Sequence, residues 1–159
     1  MKEISPENLS NLEKQYRATA IIVFAQIGFV VLLTIIAWFV VSEKEETAVS
    51  QQTVTTLWMA VIFVAIVTFI LRRMFFQWDR LRDAALLKGI PGVLNKLRAN
   101  AIILGALAEA IAVLGFVIAF LSGAKVEMLR AGIAALIVIL INFPRKSVWE
   151  KIVANMQEI

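Results

Sequence analysis

The chain has 159 residues, of which 60% are hydrophobic, and a formal net charge of +4. It contains neither cysteine nor histidine, which excludes disulfides, thiolate metal sites and cysteine nucleophiles and removes the commonest general base and metal ligand. Soluble domains are nearer half apolar, and the excess here lies in long uncharged runs, as in transmembrane helices. We therefore expect an all-α, polytopic membrane protein forming a single membrane domain over residues 1–159.

The first predicted span follows a polar N-terminal segment. Ser5, Pro6 and Glu7 are typical of a helix start, with a capping hydroxyl, proline in the first turn and an acid near the positive end of the helix dipole. The run ATAIIVFAQIGFVVLLTIIAWFVV then predicts a span over residues 18–41. Its roughly 24 residues give about 36 Å of helix, enough to cross a bilayer with some tilt. An acidic, polar loop follows it.

Two more spans are predicted over residues 54–73 and 100–122. The first of these stops at Arg72 and Arg73, and the stretch MFFQWDRLRDAALLKG predicts a helix that continues into water. Gly89 and the GIPG stretch predict its end. The third predicted span differs from the others because it is rich in small residues.

The fourth predicted span, over residues 126–144, has the weakest signal. Only residues 131–144 are free of charge, and about 14 residues are too few to cross a bilayer. The helix crosses if Lys125 and Arg130 extend their charges to the interface; a re-entrant or interfacial helix is the alternative. Residues 146–159 predict an amphipathic cytoplasmic tail whose apolar face lies on the membrane or on a partner.

The basic residues predict the orientation. The loop between the first two spans carries only Lys44, and the loop before the fourth carries Lys125 and Arg130. The remaining loop is far more basic, with Arg72, Arg73, Arg80, Arg82, Lys88, Lys96 and Arg98. We therefore expect the 72–98 loop and both termini to be cytoplasmic. Because topology explains the positive charge, we expect no nucleic-acid binding.

Small side chains recur along one side of the third span at alternating intervals of four and three residues. In lipid, helices associate through close backbone approach, which small residues permit. The pattern therefore predicts a helix-packing seam, with either the fourth span or a neighbouring subunit as its partner. The seam consists of Ala101, Gly105, Ala108, Ala112, Gly115 and Ala119.

Glu109 is the one acid within the third span, and it lies on the same side of the helix as the seam. It is about 13 Å from the cytoplasmic end, near mid-bilayer. An ionised carboxylate there is costly, which favours a protonated, ion-binding group. The alternative is a protonated side chain that only fixes packing. Gln26, at matching depth in the first span, is the first candidate for its hydrogen-bond partner, with Thr34 and Thr68 as weaker ones. The alternative is that Gln26 faces a neighbouring subunit or bonds the backbone of its own helix.

The stretch GIPGVLNKLRANAIILGALAEAIAVLGFVIAFLSG, residues 89–123, resembles the loop and second helix of rotor subunit c, the proteolipid of F- and V-type ATP synthases. The resemblance implies a ring of copies in which Glu109 is the ion-carrying carboxylate. In that family a hydroxyl residue after the glutamate often accompanies sodium binding. Ala110 occupies that position here, so the resemblance implies the proton-carrying type.

Two hypotheses about function follow. The first is a subunit of an oligomeric membrane assembly in which Glu109 binds a proton and takes part in proton translocation. The second is a structural or accessory membrane protein in which Glu109 and the seam only pack helices and bind partners. Expected partners are the lipid bilayer, further copies of the chain, and a cytoplasmic or membrane protein. We expect no enzyme, because nothing forms a catalytic pair with Glu109, and no metal or other cofactor.

Overall fold

The computed structural model describes residues 4–41 and 49–157. These residues form helices and no strand, which confirms the predicted all-α class. The helices are α1 (Pro6–Val40), α2 (Gln51–Phe75), α3 (Trp78–Ser122), α4 (Lys125–Ile141) and α5 (Lys146–Met156). Four stretches are long and apolar enough to cross a membrane, the last being α4 and α5 taken together. Most of the predicted acidic loop and the end of the predicted tail lie outside the described residues.

The helix ends follow local chemistry. The Ser5 hydroxyl accepts a hydrogen bond from the Asn8 backbone N–H at 3.4 Å, and α1 then runs without a break from the polar segment into the first span. By contrast, α2 does not continue into water: it ends at Phe75, whose carbonyl accepts a hydrogen bond from Asn100 Nδ2 at 3.2 Å. A new helix, α3, begins at Trp78.

Gly89 interrupts α3 between its polar first part and its apolar second part. Its backbone angles, φ 62° and ψ −165°, are not helical, and glycine reaches positive φ without steric cost. Pro91 lies in the first turn after the break, where proline is tolerated. The helix resumes at once, so the GIPG stretch is a kink within α3 rather than a loop.

The apolar part of α3 is the centre of the bundle, and α3 contacts all four other helices. Its buried residues pack with Val23, Val30, Met128 and Ile139 of α1 and α4 in one hydrophobic cluster. Large apolar side chains point away from this cluster, including Phe24 at 61% exposure and Phe63 at 67%. A buried centre with an exposed apolar periphery is the arrangement expected of a helical bundle surrounded by lipid.

One end of the bundle, the basic end, holds the end of α2, the start of α3, the end of α4, and α5. A second hydrophobic cluster lies there, and Tyr16 packs edge-on against Trp149 with ring centroids 5.8 Å apart. The apolar face of the predicted tail therefore packs on its own chain. This basic-end core consists of Leu12, Leu81, Ile90, Val93, Leu94, Leu97, Trp149, Val153 and Met156.

Polar contacts tie α2 to α4 at the opposite end of the bundle. Trp58 Nε1 donates a hydrogen bond to Glu127 Oε2 at 2.8 Å. The other carboxylate oxygen of Glu127 accepts from Arg130 Nη1, also at 2.8 Å. Glu127, at the start of α4, therefore accepts hydrogen bonds from both the Trp58 N–H and the Arg130 guanidinium.

An ion pair between α1 and α5 adds a small pH-dependent contribution to the docking of α5. Lys146 Nζ lies 2.6 Å from Glu13 Oε1, and this hydrogen bond lowers the pKa of Glu13 below its ordinary value of 4.5. A lowered carboxyl pKa stabilises the folded state above the unfolded value, and that contribution disappears as pH falls through the folded value. The effect should be small, because both side chains are 42% exposed to screening solvent.

We therefore expect Glu13→Gln to lower the thermal unfolding midpoint slightly at neutral pH. The difference from wild type should shrink as pH falls below 4.5 and should also shrink in high salt. A difference that stays constant across the acid range would mean that the pair does not contribute as described.

Candidate functional site

The six seam residues of α3 are all buried. A Cβ added at Gly115 would overlap the Cβ of Ala131 in α4, and one added at Gly105 would overlap the side-chain amide of Gln26 in α1. The seam is thus covered within the chain. The fourth span was one of the two predicted partners, and it does pack on the seam through Ala131 of α4. The first span, which was not predicted as a partner, also packs on the seam through Gln26 of α1.

Gln26 projects from α1 onto the surface left by Gly105. The residue is only 7% exposed, and its Nε2 donates a hydrogen bond to the backbone carbonyl of Ile102 at 3.3 Å. A residue with a side chain at position 105 would displace this amide. Gly105 is therefore what lets a polar side chain of α1 reach the backbone of α3 at this depth.

Glu109 lies one helical turn after Gly105 and near the Gln26 side chain, but the hydrogen bond that Gln26 makes goes to the Ile102 carbonyl and not to Glu109. Unlike the seam residues, Glu109 is only half-buried. The side of α3 that carries Ala106 and Val113 is exposed, Val113 by 43%. Glu109 therefore occupies the boundary between the packed seam and the outward-facing side of the helix.

One acceptor in this pair has no partner. Gln26 Oε1 is buried and accepts no hydrogen bond from the described residues, and leaving a buried acceptor unsatisfied costs about 1–3 kcal/mol. A protonated Glu109 carboxyl has an O–H to donate, whereas an ionised one can only accept. A protonated carboxyl at position 109 therefore offers the kind of donor that Gln26 Oε1 lacks.

The two threonines that could also have partnered Glu109 are satisfied within their own helices, whereas Asn142 Oδ1, near the end of the fourth span, is a second buried oxygen without a partner among the described residues. The hydroxyls of Thr34 and Thr68 donate to carbonyls four residues earlier in their own helices, at 2.9 and 2.8 Å. Over residues 4–41 and 49–157, no group of three or more acidic side chains is placed to hold a metal ion. The candidate site is therefore Glu109 with Gln26.

Sequence reasoning missed two parts of this arrangement. It assigned Gly105 to the seam but not to the approach of Gln26, although a glycine one turn before the acid is a usable signal. It also missed a cavity at the basic end, because α5 completes the wall and its docking position is not encoded in any local pattern.

The fold defines a class: an all-α chain with four helical stretches long and apolar enough to cross a membrane, as in an integral membrane protein. The chain matches no protein-family model, and neither a curated protein nor a solved structure shows significant similarity to it.

Proposed function

We propose that this protein is a subunit of an oligomeric integral membrane assembly and that Glu109 is its membrane-embedded, proton-binding carboxyl group. The observation that carries the proposal is the position of Glu109 at the edge of the packed seam: it is half-buried and lies near the buried Gln26, whose Oε1 lacks a donor among the described residues. A protonated Glu109 supplies that donor.

The depth of Glu109 supports the protonated form. The carboxyl group lies about 13 Å along the helix from the start of the predicted span, near the middle of a bilayer. Placing a charge there costs a few kcal/mol or more, and over the described residues no cation pairs with Glu109. Loss of the proton is then favourable only where water or a cationic partner reaches the group.

The exposed flank of α3 supports access from outside the chain. The seam is already occupied by α1 and α4, so a neighbouring subunit would meet α3 on the side of Ala106 and Val113, next to Glu109. A basic side chain or a water-filled path in that neighbour would take up the proton and return it. This is the route by which proton binding would become translocation, as the resemblance to rotor subunit c implies.

The second candidate is a structural or accessory role, in which Glu109 only fixes helix packing. The direct bond from Gln26 to the Ile102 carbonyl favours it, because that bond already ties α1 to α3. The two candidates differ in one respect: a packing residue stays closed to reagents in the membrane, whereas a carrier group exchanges its proton with an external partner.

Labelling with dicyclohexylcarbodiimide, which attacks protonated carboxyl groups in apolar surroundings, separates the two. We expect Glu109 to be labelled in the purified full-length chain, with labelling that falls as pH rises. Glu109→Gln should abolish it, and Glu127→Gln, which removes a half-buried acid bound to Trp58 and Arg130, should leave it unchanged. An unlabelled Glu109 at every pH, with a destabilised Glu109→Gln variant, would favour the packing role.

Native mass measurement on the same samples tests the assembly. We expect a defined oligomer that Val113→Trp disrupts and that a bulky change on the exposed side of α2, Phe63→Trp, leaves intact. A monomer in mild detergent and in bilayer nanodiscs would contradict the assembly, while the labelling result would still decide the proton site.

A further inference from the structure

A cavity of about 580 Å³ opens at the basic end of the bundle, where α2, α3, α4 and α5 meet. One part of its wall is apolar and lies within the spans, with Phe69 of α2 and Ile141 of α4. The other part lies where the helices leave the apolar segments and is basic. The cavity thus grades from apolar to cationic along the direction in which the helices cross the bilayer.

All three charged residues in the wall are arginines: Arg72, Arg73 and Arg145. Over residues 4–41 and 49–157, no carboxylate forms an ion pair with any of them. Arg73 and Arg145 are exposed, and Arg72 is half-buried. Three arginines from two separate parts of the chain therefore line one cavity without an ion-pair partner among the described residues.

Helix α5 completes the site. Val148 and Trp149 form part of the wall, and Trp149 is held by the basic-end core, where it is 2% exposed. Phe76 and Phe143 add aromatic surface near the arginines. Basic side chains directly past the end of an apolar span lie at the level of the lipid headgroups.

We infer that this cavity binds an anionic phospholipid, with the phosphate and headgroup at Arg72, Arg73 and Arg145 and the start of an acyl chain against Phe69 and Ile141. Charge complementarity selects an anion, and the apolar part of the wall selects one that carries hydrocarbon. With the orientation expected from the basic loops, the lipid belongs to the cytoplasmic leaflet, where basic pockets between helices bind anionic headgroups. The inference rests on membrane insertion and not on the role of Glu109.

The test is lipid binding to the full-length, delipidated protein in neutral detergent, measured by native mass spectrometry. We expect phosphatidylglycerol to bind at least tenfold more tightly than phosphatidylcholine, since each arginine near the headgroup contributes about fivefold. The triple variant R72Q/R73Q/R145Q should lose this preference and retain its helical content. A charge-matched control, R80Q/R82Q/K88Q, removes three exposed basic residues outside the cavity wall and should keep it.

Several results would overturn the inference. Equal binding of the two lipids would do so, as would an equal loss of preference in the control, which would mean that total charge alone attracts the lipid. Displacement of the lipid by inorganic phosphate would show a site for a free anion instead. If the triple variant fails to fold, the single exposed change Arg73→Gln replaces it, and an unchanged preference there would count against the site.

Discussion

Replacing Gly115 with alanine is expected to lower the free energy of unfolding by about 1–3 kcal/mol, the usual cost of overpacking a tight contact. The new Cβ would overlap the Cβ of Ala131. Both atoms are fixed to helix backbones, so neither can rotate away and α3 and α4 must separate. Reversible unfolding in mixed detergent micelles, followed by circular dichroism, measures the change.

Two controls accompany this measurement. A Cβ added at Gly28 would meet no heavy atom within 4 Å, so Gly28→Ala should be neutral or slightly stabilising. The double change Gly115→Ala with Ala131→Gly removes the opposing methyl and should recover most of the loss. If Gly115→Ala behaves like Gly28→Ala, the seam is not packed against α4.

Replacing Trp149 with alanine is expected to cost about 3–5 kcal/mol, the range for deleting a large buried aromatic side chain. Trp149 is 2% exposed in the basic-end core and packs against Tyr16. We expect α5 to undock before the rest of the chain unfolds, because Trp149 is the largest of the three α5 side chains buried in the basic-end core. Hydrogen exchange of the α5 amides, with the unfolding midpoint of the whole chain, measures the local and global effects.

Val148 gives the matched comparison on the same helix. It is 41% exposed, and Val148→Ala should change stability little. If the apolar face of α5 instead lay on the membrane surface, the changes at Trp149 and Val148 would not differ in this way. Equal protection of the α5 amides in both variants would contradict the docking of α5 on α1 and α3.

The spans and the seam were predictable because each depends on a pattern of neighbouring residues in the sequence. Long uncharged runs place residues 18–41, 54–73 and 100–122 largely inside α1, α2 and α3. Small residues at alternating intervals put one side of α3 in close contact with other helices, and Gly105 and Gly115 do face Gln26 and Ala131. The depth match between Gln26 and Glu109 likewise follows from counting residues along the two helices.

The docking of the tail, the break between α2 and α3, and the outward position of Glu109 depend on contacts between distant parts of the chain. Periodicity predicted an apolar face on the tail, but it did not predict the surface on which that face packs, which is the basic-end core. At the break after Phe75, the carbonyl of Phe75 accepts a hydrogen bond from Asn100, which is distant in sequence. The outward position of Glu109 could not be predicted either, because a helix face is defined only once its neighbours are in place.

The most direct test of the proton-binding role of Glu109 is infrared spectroscopy of the full-length protein in a bilayer, with its glutamate carboxyl groups isotope-labelled. We expect a protonated-carboxyl band at neutral pH that Glu109→Gln removes and Glu127→Gln leaves in place. A spectrum at neutral pH with every glutamate ionised, or a protonated band that survives Glu109→Gln, would contradict the assignment of Glu109 as the proton-binding group.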